Sequence, residues 1–233
     1  MIVHPAKQGS PEWIAARAGI PTASAFERIM SPKKRQPSSA QGRYMGRLLA
    51  ERFGQPPEDF SSPFMARGSA MEAEAVAYYE FTTGRETQPC GLCLRDDRRA
   101  GASPDRLVGD DRLLEIKVVS FENHLLALLG LKDDDHLTQC QGQLWITGRI
   151  GVDQLFYNPA LPSIIIPYER DDDFIADLAE NVLAFAERVD EAERRLRSEY
   201  GLGEGAAPLR HDARRAGSDA LTEDMAVPPG PLH

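Results

Sequence analysis

Ser103-Pro104-Asp105, nine intervening residues, then Glu115-Ile116-Lys117 constrain this chain more than any other stretch. Leu107-Val108 is apolar, Gly109-Asp110-Asp111 carries turn chemistry, and Arg112 to Val119 has the mixed character of a strand. The segment therefore predicts a strand end, a turn and a second strand. Side chains alternate faces along a strand, so Glu115 and Lys117 project to one side while Leu114, Ile116 and Val118 fill the other. A hairpin-like return brings Asp105 beside Glu115. Two carboxylates and an ammonium then meet at one sheet surface. The flanks Leu113-Leu114 and Val118-Val119 mark a central strand, where charge is unusual without a partner or an ion.

Paired carboxylates are hard oxygen ligands suited to Mg²⁺ or Mn²⁺. An ion held this way can polarise a phosphoryl oxygen, while the lysine orients a water or offsets negative charge. A solvated face carrying a Glu–Lys pair is the plainer reading, and the spacing alone does not separate the two.

With 233 residues, the chain has the length of one domain with ample material for a core. Its formal charge of −9 argues against general coating of nucleic acid but leaves room for a local basic surface. No apolar run reaches the roughly 18 residues of a membrane span. Met1-Ile2-Val3-His4-Pro5 lacks the basic and apolar regions of a secretory signal, so a cytoplasmic location and no membrane contact are expected. The cysteines form no disulfide framework. Cys90 and Cys93 have metal-ligand spacing, and with Cys140 and His136 they would make a Cys₃His zinc set. A single regular strand would instead point Cys90 and Cys93 to opposite faces. An iron–sulfur cluster normally wants four cysteines, and the chain has 3.

Ser10-Pro11-Glu12 reads as a helix start, with a capping hydroxyl, proline in the first turn and an acid at the positive end. That helix carries Trp13, Ile14 and Arg17 and stops near Gly19. Thr22-Ala23-Ser24 opens a second helix with Phe26, Ile29 and Met30. Hydroxyls at a helix N-terminus with Arg17 nearby suit an anion, although on the residues alone simple capping is the favoured reading. Lys33-Lys34-Arg35 lies in a proline-bounded basic loop, and Ser38-Ser39 caps a third helix up to Gly54 with Arg43 and Arg47 four apart. A long helix over 67–81 ends at Gly84 and carries Glu72 and Glu74 in its first half.

Strands are expected over 87–119, then an apolar helix over 121–129. A further helix spans about 136–147, where Gln139 and Gln143 share a face and Gln141 points elsewhere. Strands follow at 152–157 and 163–168. Asp172 to Tyr200 is a last helix with Ile175, Leu178, Val182, Phe185, Val189 and Leu196 on one stripe. Residues 1–200 read as one domain. From Gly201, glycine, proline and charge replace apolar spacing, and 201–233 reads as a mobile tail.

Several of these stretches together resemble the lambda-exonuclease and YqaJ-type family of viral recombinase nucleases, within the PD-(D/E)xK superfamily. They are Gly9-Ser10-Pro11-Glu12-Trp13 through Arg17, Thr22-Ala23-Ser24, Arg67-Gly68 with Met71-Glu72, Ser103-Pro104-Asp105, Glu115-Ile116-Lys117, and Gln139-Cys140-Gln141 with Trp145. The resemblance runs in order from about residue 8 to 195. It implies an α/β fold, a mixed sheet flanked by helices. It also implies a 5′-to-3′ exonuclease on linear double-stranded DNA, releasing mononucleotides and leaving 3′ single strand.

By the same resemblance, Asp105, Glu115 and the Ile116 carbonyl hold Mg²⁺ or Mn²⁺, with two ions expected. Lys117 positions the attacking water, and Glu72 acts as an outer ligand. Arg17, Ser24 and Ser103 form a pocket for the 5′-phosphate. Gln141 supports the site, and Met65 stands where an apolar wedge parts the terminal base pair. Lys33, Lys34 and Arg35 are expected to face DNA. A ring-shaped homotrimer and a single-strand annealing protein partner are further expectations.

The chain departs from the family pattern in places. Pro104-Asp105-Arg106 replaces Pro-Asp-Gly, Val118-Val119 replaces Cys-Pro, and Asn123 stands in place of an arginine. Two other readings compete: a restriction or repair endonuclease of the same superfamily, and a non-catalytic DNA-end-binding module. An endonuclease has no use for an end pocket at Arg17 and Ser24. A binding module gains nothing from buried carboxylates.

Overall fold

The strand that carries Glu115 and Lys117 lies at the centre of a five-stranded sheet, so their placement is set on both edges. The computed structural model describes residues 1–57, 63–131 and 136–203, with the backbone but not the side chains over 63–70. The side chain expected to act as a wedge, Met65, and nearly all of the expected tail lie outside the described residues.

In chain order the elements are β1 (Ile2–His4), α1 (Pro11–Arg17), a 3-10 helix (Ala23–Arg28), β2 (Met30–Ser31), β3 (Gln36–Pro37), α2 (Gln41–Arg52) and α3 (Pro63–Thr83). Then come β4 (Thr87–Pro89), β5 (Leu92–Leu94), β6 (Gly101–Ala102), β7 (Arg106–Val108), β8 (Arg112–Lys117), α4 (Phe121–Leu128), α5 (Leu137–Thr147), β9 (Gly151–Phe156), β10 (Ile164–Glu169) and α6 (Asp172–Tyr200). The main sheet has the order β10-β9-β8-β7-β4, and β1-β5-β6 and β2-β3 form two smaller sheets.

Strand β8 runs antiparallel to β7, with Arg106 opposite Leu114 and Val108 opposite Arg112. It runs parallel to β9, with Leu114 opposite Asp153 and Glu115 opposite Gln154. A parallel pair needs a crossover, and α4 and α5 supply it. Alternation along β8 then divides the core. Leu113 packs with Cys140, Leu144, Val152 and Ile175 on the face of α5 and α6. Leu114 and Ile116 pack with Ala75, Tyr79 and Leu155 on the face of α3. Glu115 shares the face of Leu113, which directs it at α5.

Two polar ties hold this frame. Arg149 donates to the carbonyls of Val108, Gly109 and Arg112 at 3.2, 2.9 and 2.6 Å, closing the β7–β8 turn. On the other face, buried Asp153 accepts from Arg112 at 2.7 Å and from the Tyr79 hydroxyl at 2.5 Å, fixing α3 to the sheet. Helix α6 lays Phe174, Leu178, Val182, Phe185 and Val189 along the core as one stripe, and Tyr44 of α2 stacks on Phe185 with ring centroids 5.6 Å apart.

Two local expectations differ from the structure. The segment after Thr22 is a 3-10 helix that gives way to β2, not an α-helix through Met30. The Ile29 carbonyl accepts from Ser38 N–H at 2.8 Å and from the Gln41 side-chain amide at 2.6 Å, which closes the β2–β3 turn against further helix. Helix α2 begins at Gln41 without a side-chain cap, and Ser38 accepts from Ala40 N–H instead.

Candidate active site

The turn from β6 into β7 carries Ser103, Pro104 and Asp105. The pairing of Arg106 with Leu114 sets Asp105 across from Glu115, and Asp105 Oδ2 accepts from Ile116 N–H at 2.6 Å. Glu115 is only 5% exposed. Its Oε1 accepts from Lys117 Nζ at 2.9 Å and from Gln139 Nε2 at 2.6 Å, and its Oε2 accepts from Gln143 Nε2 at 2.6 Å. Lys117 Nζ also donates to Gln139 Oε1 at 2.9 Å. Glu115, Lys117 and the two glutamines thus form one hydrogen-bonded cluster, as the strand alternation and the shared helix face require, with Asp105 beside it on the Ile116 N–H.

Burial, then the nearby charge of Glu115, holds the Asp105 carboxyl well above the usual carboxylate range; Glu72 on α3 adds to the rise. Burial pulls the Lys117 ammonium down, but the Glu115 carboxylate outweighs it and the net shift is upward. A buried acid pressed by a second carboxylate is the situation that a divalent cation relieves. The donors are hard oxygens, as Mg²⁺ and Mn²⁺ prefer. A residue's N–H and C=O point toward the same neighbouring strand, so the Ile116 carbonyl faces the side of its Asp105-bonded N–H. The residues therefore fit such an ion. No group of three or more His, Cys, Asp or Glu side chains able to hold a metal occurs among the described residues, so the remaining ligands would be backbone, water or substrate.

A second group of side chains closes the other end of the same cleft. Ser10 caps α1 by accepting from Trp13 N–H at 3.2 Å, which aims Trp13 and Arg17 along one side. The Arg17 guanidinium lies 4.5 Å from the Trp13 ring centroid and donates to Thr22 Oγ1 at 3.1 Å. Thr22 Oγ1 is 3.5 Å from Ser24 Oγ. Trp13 Nε1 donates to Ser103 Oγ at 3.1 Å, linking α1 to the residue two before Asp105. Arg17, Ser24, Ser103, Asp105, Glu115 and Lys117 all line one cleft of about 580 Å³, together with Trp13, Thr22, His136, Gln139 and Gln143.

Helix α5 reaches this position because it is unusually close to the 3-10 helix. A Cβ at Gly142 would lie 2.6 Å from the Phe26 ring and 3.2 Å from Ala23 Cβ. The glycine lets α5 sit where Gln139 and Gln143 meet Glu115.

Other expected residues are placed elsewhere. Gln141 is not in the cluster: its amide donates to the Glu169 carbonyl at 2.7 Å and its Oε1 accepts from Asp171 N–H at 3.0 Å, securing the β10–α6 junction. Two residues turn a helix through about 200°, so Gln141 faces away from Gln139 and Gln143. Arg35 pairs with Asp177 of α6 at 3.2 Å and with Asp171, the N-cap of that helix, at 3.8 Å, and Lys33 and Lys34 are exposed on the same turn; none of the three lines the cleft. The thiols of Cys90 and Cys93 lie 3.5 Å apart and do not splay to opposite faces, because Cys90 precedes the strand β5. No Cys₃His set forms among the described residues. Trp13, Thr22, Gln139 and Gln143 are the residues that the resemblance did not assign. For the two glutamines the i, i+4 spacing was the available signal.

The YqaJ-like viral recombinase domain matches residues 12–150. Among solved structures, an alkaline exonuclease from Laribacter hongkongensis (LHK-Exo) is similar, with 31% identity, a TM-score of 0.74, and coverage of 82% of this chain and 98% of that one. A structure of the same enzyme in complex with dAMP matches at 32% identity with the same TM-score and coverage. A phage-related exonuclease from Haemophilus somnus shares the fold at 13% identity and a TM-score of 0.62, over 76% of this chain and 96% of that one. No curated protein matches the chain. The fold is the mixed α/β arrangement of the PD-(D/E)xK enzymes. Its match over more than half its length, in the segment that holds Arg17, Ser24, Asp105, Glu115 and Lys117, makes this chain a member of the YqaJ-like viral recombinase family.

Proposed function

We propose that the chain is a Mg²⁺-dependent (or Mn²⁺-dependent) exonuclease that degrades one strand of linear double-stranded DNA from 5′ to 3′. It releases 5′-mononucleotides and leaves 3′ single strand for recombination. One observation carries this reading: the Asp105–Glu115–Lys117 cluster and the Arg17–Thr22–Ser24 group line a single cleft, joined by the Trp13–Ser103 hydrogen bond. The similar enzyme from Laribacter hongkongensis, crystallised with a deoxynucleoside monophosphate, supports it.

Asp105, Glu115 and the Ile116 carbonyl would hold the cation, with Glu72 as an outer ligand and two ions expected in all. When bound, the cation polarises the scissile phosphoryl group and neutralises charge that builds on it. Lys117, held by the Glu115 carboxylate and Gln139, orients the attacking water and offsets charge on the phosphoryl group. Gln139 and Gln143 fix the Glu115 carboxylate. Arg17, Ser24 and Ser103 take the 5′-phosphate, for which a planar guanidinium fork and hydroxyl donors are suited. Met65 stands as the wedge at the terminal base pair, and Lys33 and Lys34 contact the duplex outside the cleft.

A closed homotrimer around DNA and a single-strand annealing protein partner complete the reading. Helix α4 and the turn after it expose Phe121, Leu126, Leu129 and Leu131, and such a surface supports an interface between subunits. The test is the release of acid-soluble nucleotides from linear duplex while closed circles are spared. Cleavage of closed circles at a comparable rate would replace this reading with an endonuclease.

A further inference from the structure

Behind the end pocket lies a second cavity of about 270 Å³, and Arg17, Thr22 and Ser24 line both spaces. The far wall of this chamber carries Arg28 at the end of the 3-10 helix and Arg47 of α2. The Arg28 guanidinium stands 6.0 Å from the Tyr44 ring centroid. Arg47 Nε donates to Glu51 Oε1 at 3.3 Å. Glu51 is held from its other side, where Oε2 accepts from Gly19 N–H at 2.8 Å. Three guanidinium groups therefore face one carboxylate among the described residues lining the chamber. On a chain of formal charge −9, the described wall of this chamber carries more guanidinium than carboxylate. Tyr44 supports its floor: its hydroxyl accepts from Thr22 N–H at 3.3 Å, so the ring cannot withdraw without releasing the partition between the two spaces.

We propose that this chamber binds a second phosphate, one position beyond the terminal 5′-phosphate of the DNA end, through Arg28 and Arg47. The inference rests on the end-pocket reading given above. With the first phosphate at Arg17 and Ser24, which line both spaces, a group attached on its 5′ side would enter the chamber that Asp105 and Glu115 do not line. A group attached there meets guanidinium donors, which bind phosphate oxygens strongly and in a fixed geometry. Two substrates place a phosphate at that point: an end with a one-nucleotide 5′ overhang bearing a 5′-phosphate, and a blunt end bearing a 5′-triphosphate. Guanidinium contacts serve both, whereas the overhang must also fit a sugar and base.

Equilibrium binding tests the proposal, with the full chain in a chelator so that no strand is cut. The probes are duplex hairpins ending in a 5′-hydroxyl, a 5′-monophosphate, a 5′-triphosphate, or a phosphorylated one-nucleotide 5′ overhang. With wild type, the monophosphate should bind more tightly than the hydroxyl, and at least one of the two extended ends should gain about tenfold more. In Arg28→Gln and in Arg47→Gln that further gain should fall to about twofold or less, while the monophosphate-to-hydroxyl ratio persists. Because ratios are compared, a variant that merely lowers the folded fraction leaves them unchanged; Arg28→Gln leaves the Arg47–Glu51 pair intact if Arg47→Gln folds poorly. A triphosphate gain without an overhang gain identifies a polyphosphate site, and the reverse identifies a nucleotide site. A monophosphate gain with no further gain from either extended end overturns the second chamber alone. A further gain that both variants retain overturns it as well. The absence of any monophosphate gain overturns the end-pocket reading and this inference with it.

Discussion

Gln143 Nε2 donates to Glu115 Oε2 at 2.6 Å, from a helix buried against the sheet that carries the carboxylate. Gln139, one turn earlier, donates to the other oxygen at the same distance. The orientation of Glu115 is thus set by α5, and α5 is set by the contact of Gly142 with Phe26. Truncating the Gln143 amide should cost the reaction without emptying the site. Gln143→Leu should slow hydrolysis by about 10- to 100-fold, the worth of one hydrogen bond to a charged group. Single-turnover rates on linear duplex check this, and a change below twofold would show that Glu115 is oriented without it.

Gln141 gives the contrasting case. It bridges the Glu169 carbonyl and the Asp171 N–H, away from the cleft. Gln141→Ala should lower thermal stability by about 1–3 kcal/mol, because two backbone groups lose their partner. The rate per folded molecule should stay within about twofold, since no contact with Glu115 is lost. A large loss of rate with unchanged melting would return Gln141 to the catalytic cluster.

The raised Asp105 carboxyl predicts a pH dependence of stability in the cation-free protein. A folded pKa above the unfolded value means that the folded chain binds that proton more tightly. The stabilisation is full below about pH 3.9, the unfolded value, and is lost as pH rises through the folded pKa. Asp105→Asn removes this dependence. In chelator, the melting temperature of Asp105→Asn minus that of wild type should therefore grow as pH is raised. A difference that stays flat or shrinks would contradict a strained, protonated Asp105.

The leucines of α4 and its following turn predict the assembly. Leu129 is 69% and Leu131 68% exposed, and charge on that surface should oppose burial between subunits. Leu129→Glu should convert an oligomer to a monomer in solution scattering at micromolar concentration. Wild type that is already monomeric would refute the ring.

Much of the site was legible because it depends on short-range rules. Strand alternation put Glu115 and Lys117 on one side, the β7–β8 return brought in Asp105, and helix spacing set Gln139 and Gln143 together. Where family resemblance and helix geometry disagreed, over Gln141, geometry prevailed. The rest depends on contacts distant in sequence. The 3-10 turn at Ala23–Arg28 ends where Ser38 and Gln41 take the Ile29 carbonyl. Arg35, expected at DNA, is drawn to Asp177 of a helix more than a hundred residues later and to Asp171 at its N-cap. The Trp13–Ser103 bond spans 90 residues and has no local signature.

The central claim is that a 5′-phosphorylated end is held at Arg17 while Asp105 and Glu115 direct the cut. The most direct measurement is the rate of nucleotide release, in Mg²⁺, from linear duplex labelled at the 5′ or 3′ end and bearing either 5′-phosphate or 5′-hydroxyl. Wild type should release the 5′ label first and prefer the phosphorylated end. Arg17→Ala should remove most of that preference, about 1–3 kcal/mol of transition-state binding. Asp105→Ala and Glu115→Ala should each lose more than about 100-fold in rate while still binding DNA. Release of the 3′ label first, or equal slowing of both ends by Arg17→Ala, would contradict it.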